Sequence, residues 1–193
     1  IGSGSINNNF WLTDNGTAGS GIVGINCAST GSVTITGNNM SGIRLDGTRA
    51  GAETNFILIA AGAGAVTIDN NILGGASSSV SIISNSPFYG IKNSSTGGMT
   101  VSNNTFQNIS HNATTQSIGV LYNAAGFLTC TGNTFQNISS ASDCSGNSAF
   151  FIIDHQPSAA ATADVTGNTI QNINWTYTGA TAAKLYCISV NTA

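Results

Sequence analysis

Short segments in which apolar and polar residues alternate recur along the chain. Four of them share one pattern, at 33–36 (VTIT), 66–69 (VTID), 99–102 (MTVS) and 128–131 (LTCT). Alternation with a period of two puts successive side chains on opposite faces, which is typical of a β-strand. A second apolar patch follows in each unit, and no segment has a convincing amphipathic helical pattern. The β-branched residues, punctuated by Asn and Gly, predict an all-β fold.

The alternating segments belong to a repeat that fills the chain. The phrase NTFQNI at 104–109 returns at 133–138 and, as NTIQNI, at 168–173, and diverged copies occur nearer the N-terminus. Six anchoring asparagines mark the copies, at intervals of 29, 33, 33, 29 and 35 residues. A unit of this length cannot bury its apolar side alone, so successive units are expected to stack. The sequence therefore predicts one solenoid domain of about six coils over residues 1–193.

Each unit is interpreted as one coil of three strands. The alternating segment is the first strand, the Phe-Gln-Asn-Ile phrase the second and the later apolar patch the third. Ile35 and Met40 are expected to point inward and Thr34 outward. The repeated asparagine is placed at the corner between the first two strands, because Asn tolerates the left-handed conformation. Stacked asparagines can bond to one another as a ladder. The predicted ladder contains Asn9, Asn38, Asn71, Asn104, Asn133 and Asn168.

The pattern Val-Thr-Ile-x-Asn-Asn-x-Phe-x-Asn-Ile resembles the right-handed parallel β-helix repeat family, which has pectate-lyase-like architecture. It is especially similar to the long secreted or surface-attached repeat proteins of bacteria. The resemblance implies a single-stranded, right-handed parallel β-helix, the hand that parallel crossovers also favour. Because that family includes lyases, hydrolases, adhesins, phage fibres and structural stalks, the resemblance is specific for fold and not for activity.

The composition excludes two classes of function. Only 11 of the 193 residues are charged, four basic and seven acidic, whereas 71 are Asn, Ser or Thr. So few cations cannot neutralise many phosphates, so we expect no nucleic-acid partner. No apolar run approaches the ~20 residues of a membrane span. The uncharged, hydroxyl- and amide-rich surface indicates an extracellular or cell-surface location.

Charge is concentrated in one short stretch, which holds Arg44, Asp46, Arg49 and Glu53. One interpretation is a polar loop that contacts glycans, together with Trp175, which is expected to be exposed. The other is a solvated loop whose charges pair with one another. Weak binding to glycans that is lost on substitution of the two arginines would favour the first interpretation.

Little else in the sequence points to chemistry. Asp154 beside His155 invites an acid–base interpretation, but no nucleophile with a recognisable signature accompanies them. No C-x-x-C spacing exists, so we predict no metal site, and nothing predicts a cofactor. Cys130 is expected to be either a small buried hydrophobe or the partner of Cys144 in a disulfide within one coil. Nothing in the sequence argues for an enzyme.

Two surface features remain as alternatives. Eight Asn-x-Ser/Thr sequons are present; if the source glycosylates exported proteins, the candidate acceptors in loops are Asn15, Asn93 and Asn112. Stacked outward threonines, beginning with Thr34 and Thr67, resemble the ice-binding face of repeat-type antifreeze proteins.

These observations predict a structural role. We expect a rigid extracellular rod that serves as a surface stalk, adhesin segment or filament subunit. A carbohydrate-binding or polysaccharide-cleaving β-helix is the second hypothesis and ice binding the third. The repeat pattern reaches 5–7 and 187–190, so we expect the domain to be either a segment of a longer repeat protein or a subunit whose copies stack head to tail. Surface glycans are the other predicted partners.

Overall fold

The computed structural model describes residues 5–6, 10–12, 22–45, 53–77, 82–112, 118–141, 149–157, 159–177 and 184–191. Every regular element in these ranges is a β-strand, and all strand pairings among the described residues are parallel. The chain passes through three sheets in turn and adds a strand to each sheet on every pass. The prediction of an all-β parallel solenoid is confirmed.

Sheet 1 consists of the alternating segments. Its five strands are β4 (Val33–Thr36), β8 (Val66–Asp69), β12 (Met99–Ser102), β15 (Leu128–Thr131) and β18 (Ala163–Thr166). Five strands make four coil-to-coil steps, so the coil count in the described residues is slightly below the six expected. Alternation sets the faces: in β8 and β12 the first and third residues are buried and the others half-buried.

Sheet 2 contains the repeated phrase. Its strands are β1 (Ser5–Ile6), β2 (Phe10–Leu12), β5 (Asn39–Met40), β6 (Ile43–Leu45), β9 (Ile72–Leu73), β10 (Ile82–Ser84), β13 (Thr105–His111), β16 (Thr134–Ser140) and β19 (Thr169–Trp175). The earlier coils split the predicted second strand in two. The first piece pairs with the start of β13 and the second with its end.

Sheet 3 contains the later apolar patches. Its strands are β3 (Val23–Cys27), β7 (Thr54–Ile59), β11 (Phe88–Asn93), β14 (Ile118–Asn123), β17 (Phe150–His155) and β20 (Leu185–Val190). The alternation is interrupted once in each strand. Ile152 and Ile153 are adjacent, yet both are fully buried. The residues on either side of such a pair therefore both face outward.

The core is a stack of identical positions. Phe106 and Phe135 occupy one such column and stack with ring centroids 4.7 Å apart and planes 8° from parallel. Ile35, Ile68 and Cys130 share another column, and each is fully buried. Parallel in-register pairing stacks like on like, so a repeated sequence is enough to build a close-packed interior.

The corner between sheets 1 and 2 corrects one expectation. The left-handed residue is not the repeated asparagine but the residue before it, for example Asn103 before Asn104 (φ 54°) and Gly132 before Asn133 (φ 65°). A second left-handed residue lies inside the second strand, at Asn108 and its equivalents. Only Asn, Gly and a few other residues adopt this conformation without a large steric cost. The backbone therefore requires Asn or Gly at both places, independently of any ladder.

Candidate functional site

The asparagines at the corner between sheets 1 and 2 form one continuous ladder, which we call the corner ladder. Each side-chain Nδ2 donates to the Oδ1 of the asparagine in the next coil. The donor–acceptor distances are 2.9 Å for Asn38 to Asn71, 2.9 Å for Asn71 to Asn104, 3.0 Å for Asn104 to Asn133 and 3.0 Å for Asn133 to Asn168. The ladder has a direction, since every donor points toward the C-terminal coil.

The corner ladder also satisfies the backbone where it bends. Asn104 Nδ2 donates to the carbonyl oxygens of Ile68 and Ser102, at 2.9 and 2.8 Å. Its Oδ1 accepts from the backbone N–H of Asn71 at 2.9 Å. Because a buried amide without partners is costly, a fully bonded ladder both fills the corner and fixes the register of neighbouring coils.

The sixth predicted member has no support in the described register. Asn9 lies outside the described residues. The alignment that placed it in the ladder puts Trp11 beside Met40, whereas strand β1 pairs Ile6 with Met40. Trp11 pairs with Arg44 instead. The first, diverged copy of the repeat was aligned in the wrong register, because its Asn-rich start offers several equivalent alignments.

A second buried ladder lies at the corner between sheets 3 and 1, and the sequence analysis missed it. Asn93 Nδ2 donates to Asn123 Oδ1 at 2.6 Å, and Asn123 Nδ2 donates to His155 Nδ1 at 2.8 Å. All three side chains are fully buried. Burial lowers the pKa of His155, against a smaller opposing effect of the Ala161 backbone. An alignment of the third-strand ends KN, YN and DH would have revealed this column.

The third corner holds another buried histidine. His111 Nε2 lies 3.0 Å from the carbonyl oxygen of Ser86, and its Nδ1 lies 3.2 Å from Ser140 Oγ. Since a carbonyl only accepts, Nε2 donates and Nδ1 accepts from the hydroxyl. Burial lowers the pKa of His111 to about 4, so the ring is neutral at pH 7. This histidine is a structural link and faces no solvent.

The pair Asp154–His155 does not form an acid–base dyad. His155 points inward into the second ladder, whereas Asp154 is on the outer face of sheet 3 and accepts from Gln156 Nε2 at 2.8 and 3.0 Å. Neighbouring residues in a strand point to opposite sides. Burial raises the pKa of Asp154, although hydrogen bonds from Gln156 and Ser189 oppose this.

The charged stretch is divided between two sheets. Glu53 forms an ion pair with Lys92 of the next coil. Arg44 lies in sheet 2, half-buried, and pairs through its backbone with Ile83. Asp46 and Arg49 lie outside the described residues.

Trp175 corrects another expectation, since it is not an exposed surface residue. It occupies the inward column above Ser140, packs against the core and has its ring 5.3 Å from that of Tyr177. The predicted glycan contacts Arg44, Glu53 and Trp175 therefore belong to different parts of the coil.

The outer face of sheet 3 carries aromatic and acidic side chains that the sequence analysis did not bring together. The Tyr89 and Tyr122 rings lie 5.5 Å apart, and Lys92 Nζ lies 4.7 Å from the Tyr89 ring centre. Burial raises the pKa of Tyr89 to about 12, and the Glu53 carboxylate adds to the rise. The ring lies over Gly119, where an added Cβ would come within 3.1 Å of Tyr89 Cδ1.

The outer faces of sheets 1 and 2 are lined by repeated polar residues. On sheet 1, Thr34, Thr67, Thr100 and Thr129 share one column, which Asp164 continues. The neighbouring column is interrupted by Asp69, whose pKa is lowered chiefly by a hydrogen bond from Ser102. The ice-binding hypothesis requires an unbroken threonine array, so these carboxylates count against it.

Sheet 2 carries two further amide ladders on its outside. Gln136 Nε2 donates to Gln107 Oε1 at 2.9 Å, and Asn137 Nδ2 donates to Asn108 Oδ1 at 3.1 Å. The last coil continues both ladders at 2.8 and 3.1 Å. Attachment of a glycan to Asn108 or Asn137 would break the second of these ladders.

Two of the three loop sequons lie within the described residues. Asn112 is exposed and stays a candidate acceptor. Asn93 is fully buried in the second ladder, so it cannot be modified in the folded chain. Asn15 lies outside the described residues.

The cysteines follow the hydrophobic interpretation where they are described. Cys130 is a free, buried thiol whose Sγ lies 3.4 Å from Asn133 Nδ2, and burial raises its pKa to about 12. Cys27 is also free and buried, and Cys187 is free and exposed. Cys144 lies outside the described residues, but Cys130, its predicted disulfide partner, is a free thiol and not part of a disulfide.

Comparison with known proteins returns no relative. No protein-family model, curated protein or solved structure matches the chain. Within the described ranges, no group of three or more His, Cys, Asp or Glu side chains could hold a metal ion. No helix in those ranges is long and apolar enough to cross a membrane. The parallel β-solenoid architecture is thus the level at which this chain can be placed.

Proposed function

We propose that this protein is a structural component of an extracellular surface, a rigid β-solenoid rod of the kind found in stalks, adhesins and filaments. The observation that carries the proposal is the corner ladder. It runs without interruption through five described coils and bonds both to the next coil and to the backbone of the bend. Such a ladder adds stiffness along the axis and supplies no chemistry.

The described surface supports the same role. Outward positions of sheets 1 and 2 hold hydroxyls and amides, several of them bonded to their equivalents in the next coil. Net charge is only −3 over 193 residues. A neutral, self-bonded surface gives little electrostatic attraction for partners and suits a spacer. The repeated phrase is consistent with the right-handed β-helix repeat proteins of bacterial surfaces, and membership of that group is part of the proposal.

Stacking of copies head to tail belongs to this proposal. In the coil of β18–β20 the inward positions Ile188 and Val190 are each 49% exposed, whereas Ile153 and His155 below them are fully buried. A further parallel coil would cover them, and the direction of the corner ladder requires that coil to have the same orientation. Two copies would therefore join end to end and not face to face.

Single-molecule force spectroscopy tests the rod. The chain is pulled from its ends between two marker domains of known unfolding length. A rod of independently bonded coils is expected to give a series of force peaks, each releasing 29 to 35 residues, roughly 100–120 Å of extended chain. Extension at low force without peaks would contradict a structural role.

Electron microscopy of the purified chain tests the assembly. Regular filaments one solenoid wide are expected if the coil ends join, and their length should increase with protein concentration. A variant with Ile188→Lys and Val190→Glu serves as the control, because charges on the end face should prevent stacking while each copy stays folded. Short isolated rods for both proteins would contradict head-to-tail assembly. The rigidity of the single rod would then be tested by the force measurement alone.

A further inference from the structure

Two outward side chains of sheet 3 are more deeply buried than any described outward side chain of sheet 1. Asp154 is only 1% exposed and Asn55 only 4%, although both occupy outward columns. On sheet 1, the outward Asp164 is exposed. We call this region the sheet 3 recess and define it by Asn55, Tyr89, Tyr122, Phe151, Asp154 and Tyr186.

Aromatic rings form much of the recess. Tyr89 and Tyr122 pack 5.5 Å apart at 43°, and Phe151 stacks on Tyr186 with centroids 5.1 Å apart and planes 6° from parallel. All four side chains are half-buried. Rings that stay partly accessible next to a few buried polar groups are the usual lining of a small-molecule or glycan site.

One polar atom in the recess has no partner. Asn55 Oδ1 is buried and accepts no hydrogen bond from any described residue. A buried carbonyl oxygen without a donor costs free energy that a ligand hydroxyl would recover. Asn55 lies in register with Tyr89, one coil away, so this acceptor and the ring belong to the same column. A ligand at this position would have to donate a hydrogen bond to Asn55 Oδ1.

The charges of the recess select against ionic ligands. Two carboxylates border it, Glu53 and Asp154, and the ammonium of Lys92 is already paired with Glu53 and placed over Tyr89. An anionic ligand would therefore meet two carboxylates. A neutral molecule rich in hydroxyls would donate to Asn55 and Asp154 and pack its apolar ring faces against the aromatic side chains.

We propose that the sheet 3 recess binds a neutral glycan chain that runs along the solenoid axis. The lining residues extend from β7 to β20, so a chain of several sugars can contact successive coils. The site is separate from the stretch around Arg44 and from the corner ladder. It adds an adhesive surface to the rod and does not depend on the rod forming filaments.

Affinity electrophoresis tests the proposal. The full chain is run in native gels containing hydroxyethyl cellulose, xyloglucan or galactomannan, and in a gel containing the acidic polymer polygalacturonate. We expect retardation by at least one neutral polymer and none by polygalacturonate. Asp154→Asn is expected to weaken binding about tenfold or more, and it should fold, because burial already favours the uncharged form of this side chain.

Asp164→Asn is the matched control. It removes the same charge from the outer face of sheet 1 and should leave retardation unchanged. Tyr122→Ala, checked for folding by circular dichroism, should also abolish binding. The proposal is overturned if none of the neutral polymers retards the chain, if polygalacturonate retards it most, or if Asp164→Asn weakens binding as much as Asp154→Asn.

Discussion

Removal of one member of the corner ladder should cost a large part of the stability of the chain. Asn104 is 1% exposed, and its side chain makes five hydrogen bonds. In Asn104→Ala the backbone N–H of Asn71 loses the acceptor that the structure gives it, and a bare buried N–H costs about 2 kcal/mol. The lost bonds to Ile68 and Asn133 add about 1 kcal/mol each. We expect the free energy of unfolding to fall by about 4 kcal/mol.

The neighbouring asparagine provides the control. Asn103 is exposed and left-handed, and the equivalent position is glycine in other coils, as at Gly132. Asn103→Gly should therefore change the free energy of unfolding by less than about 0.5 kcal/mol, the usual range for surface positions. Asn104→Asp keeps the acceptor but directs a carboxylate oxygen at two carbonyl oxygens. It should be at least as damaging as alanine at pH 7 and partly recover in acid, where the protonated carboxyl can donate.

Urea unfolding followed by far-ultraviolet circular dichroism at 25 °C measures these differences, with equal slopes required for the comparison. The predicted loss is assigned to the ladder and not to the corner in general. A loss below about 1 kcal/mol for Asn104→Ala, or equal losses for Asn103→Gly and Asn104→Ala, would refute it.

Three further predictions follow from burial and backbone geometry. In the folded chain His111 has a pKa of about 4, below the ordinary value of about 6.5. The unfolded chain therefore binds more protons between these pH values. As the pH is lowered from 6.5 to 4, the free energy of unfolding should fall by up to about 3 kcal/mol. Urea titrations at both pH values check this, and His111→Gln should flatten the dependence; an unchanged slope would contradict the assignment. Gly74→Ala should prevent folding, because its Cβ would meet a backbone oxygen of the next coil. Gly62→Ala has open space around it and should cost only about 1 kcal/mol of strain. Soluble yield and thermal melts of the two variants would show the difference. Native labelling with iodoacetamide, located by mass spectrometry, should modify the exposed Cys187 and spare the buried Cys130; equal modification would show that the core opens.

The fold could be predicted because two independent periods agree. Alternation fixed the strand faces, and the repeat fixed the stacking, so the inward positions of Ile35 and Met40 and the outward position of Thr34 followed directly. The corner residue was misjudged by one position because Asn103 and Asn104 are both asparagine. The glycine before Asn133 indicates the correct position of the left-handed residue, because a glycine in that place indicates a positive φ.

The polar features of the third sheet could not be predicted from single copies of the repeat. The second ladder ends in His155, which hides its equivalence to Asn93 and Asn123. In the recess, Tyr89 aligns with Gly119 and not with Tyr122. Phe151 and Tyr186 continue the column of Tyr89 and Gly119, whereas Tyr122 lies in the other outward column, so the aromatic side chains form no recurring motif in the sequence.

The corners of the solenoid differ in how much variation in length they tolerate. Two residues always join sheet 1 to sheet 2, as between Thr36 and Asn39 or between Thr131 and Thr134. The connections from sheet 2 to sheet 3 range from three to ten residues, as the strand bounds show, and no pairing changes register. A whole coil such as 104–132 could thus be removed or duplicated by recombination without disturbing its neighbours. The variable connections recur every ~4.8 Å along one edge, so peptides inserted there would form an evenly spaced display.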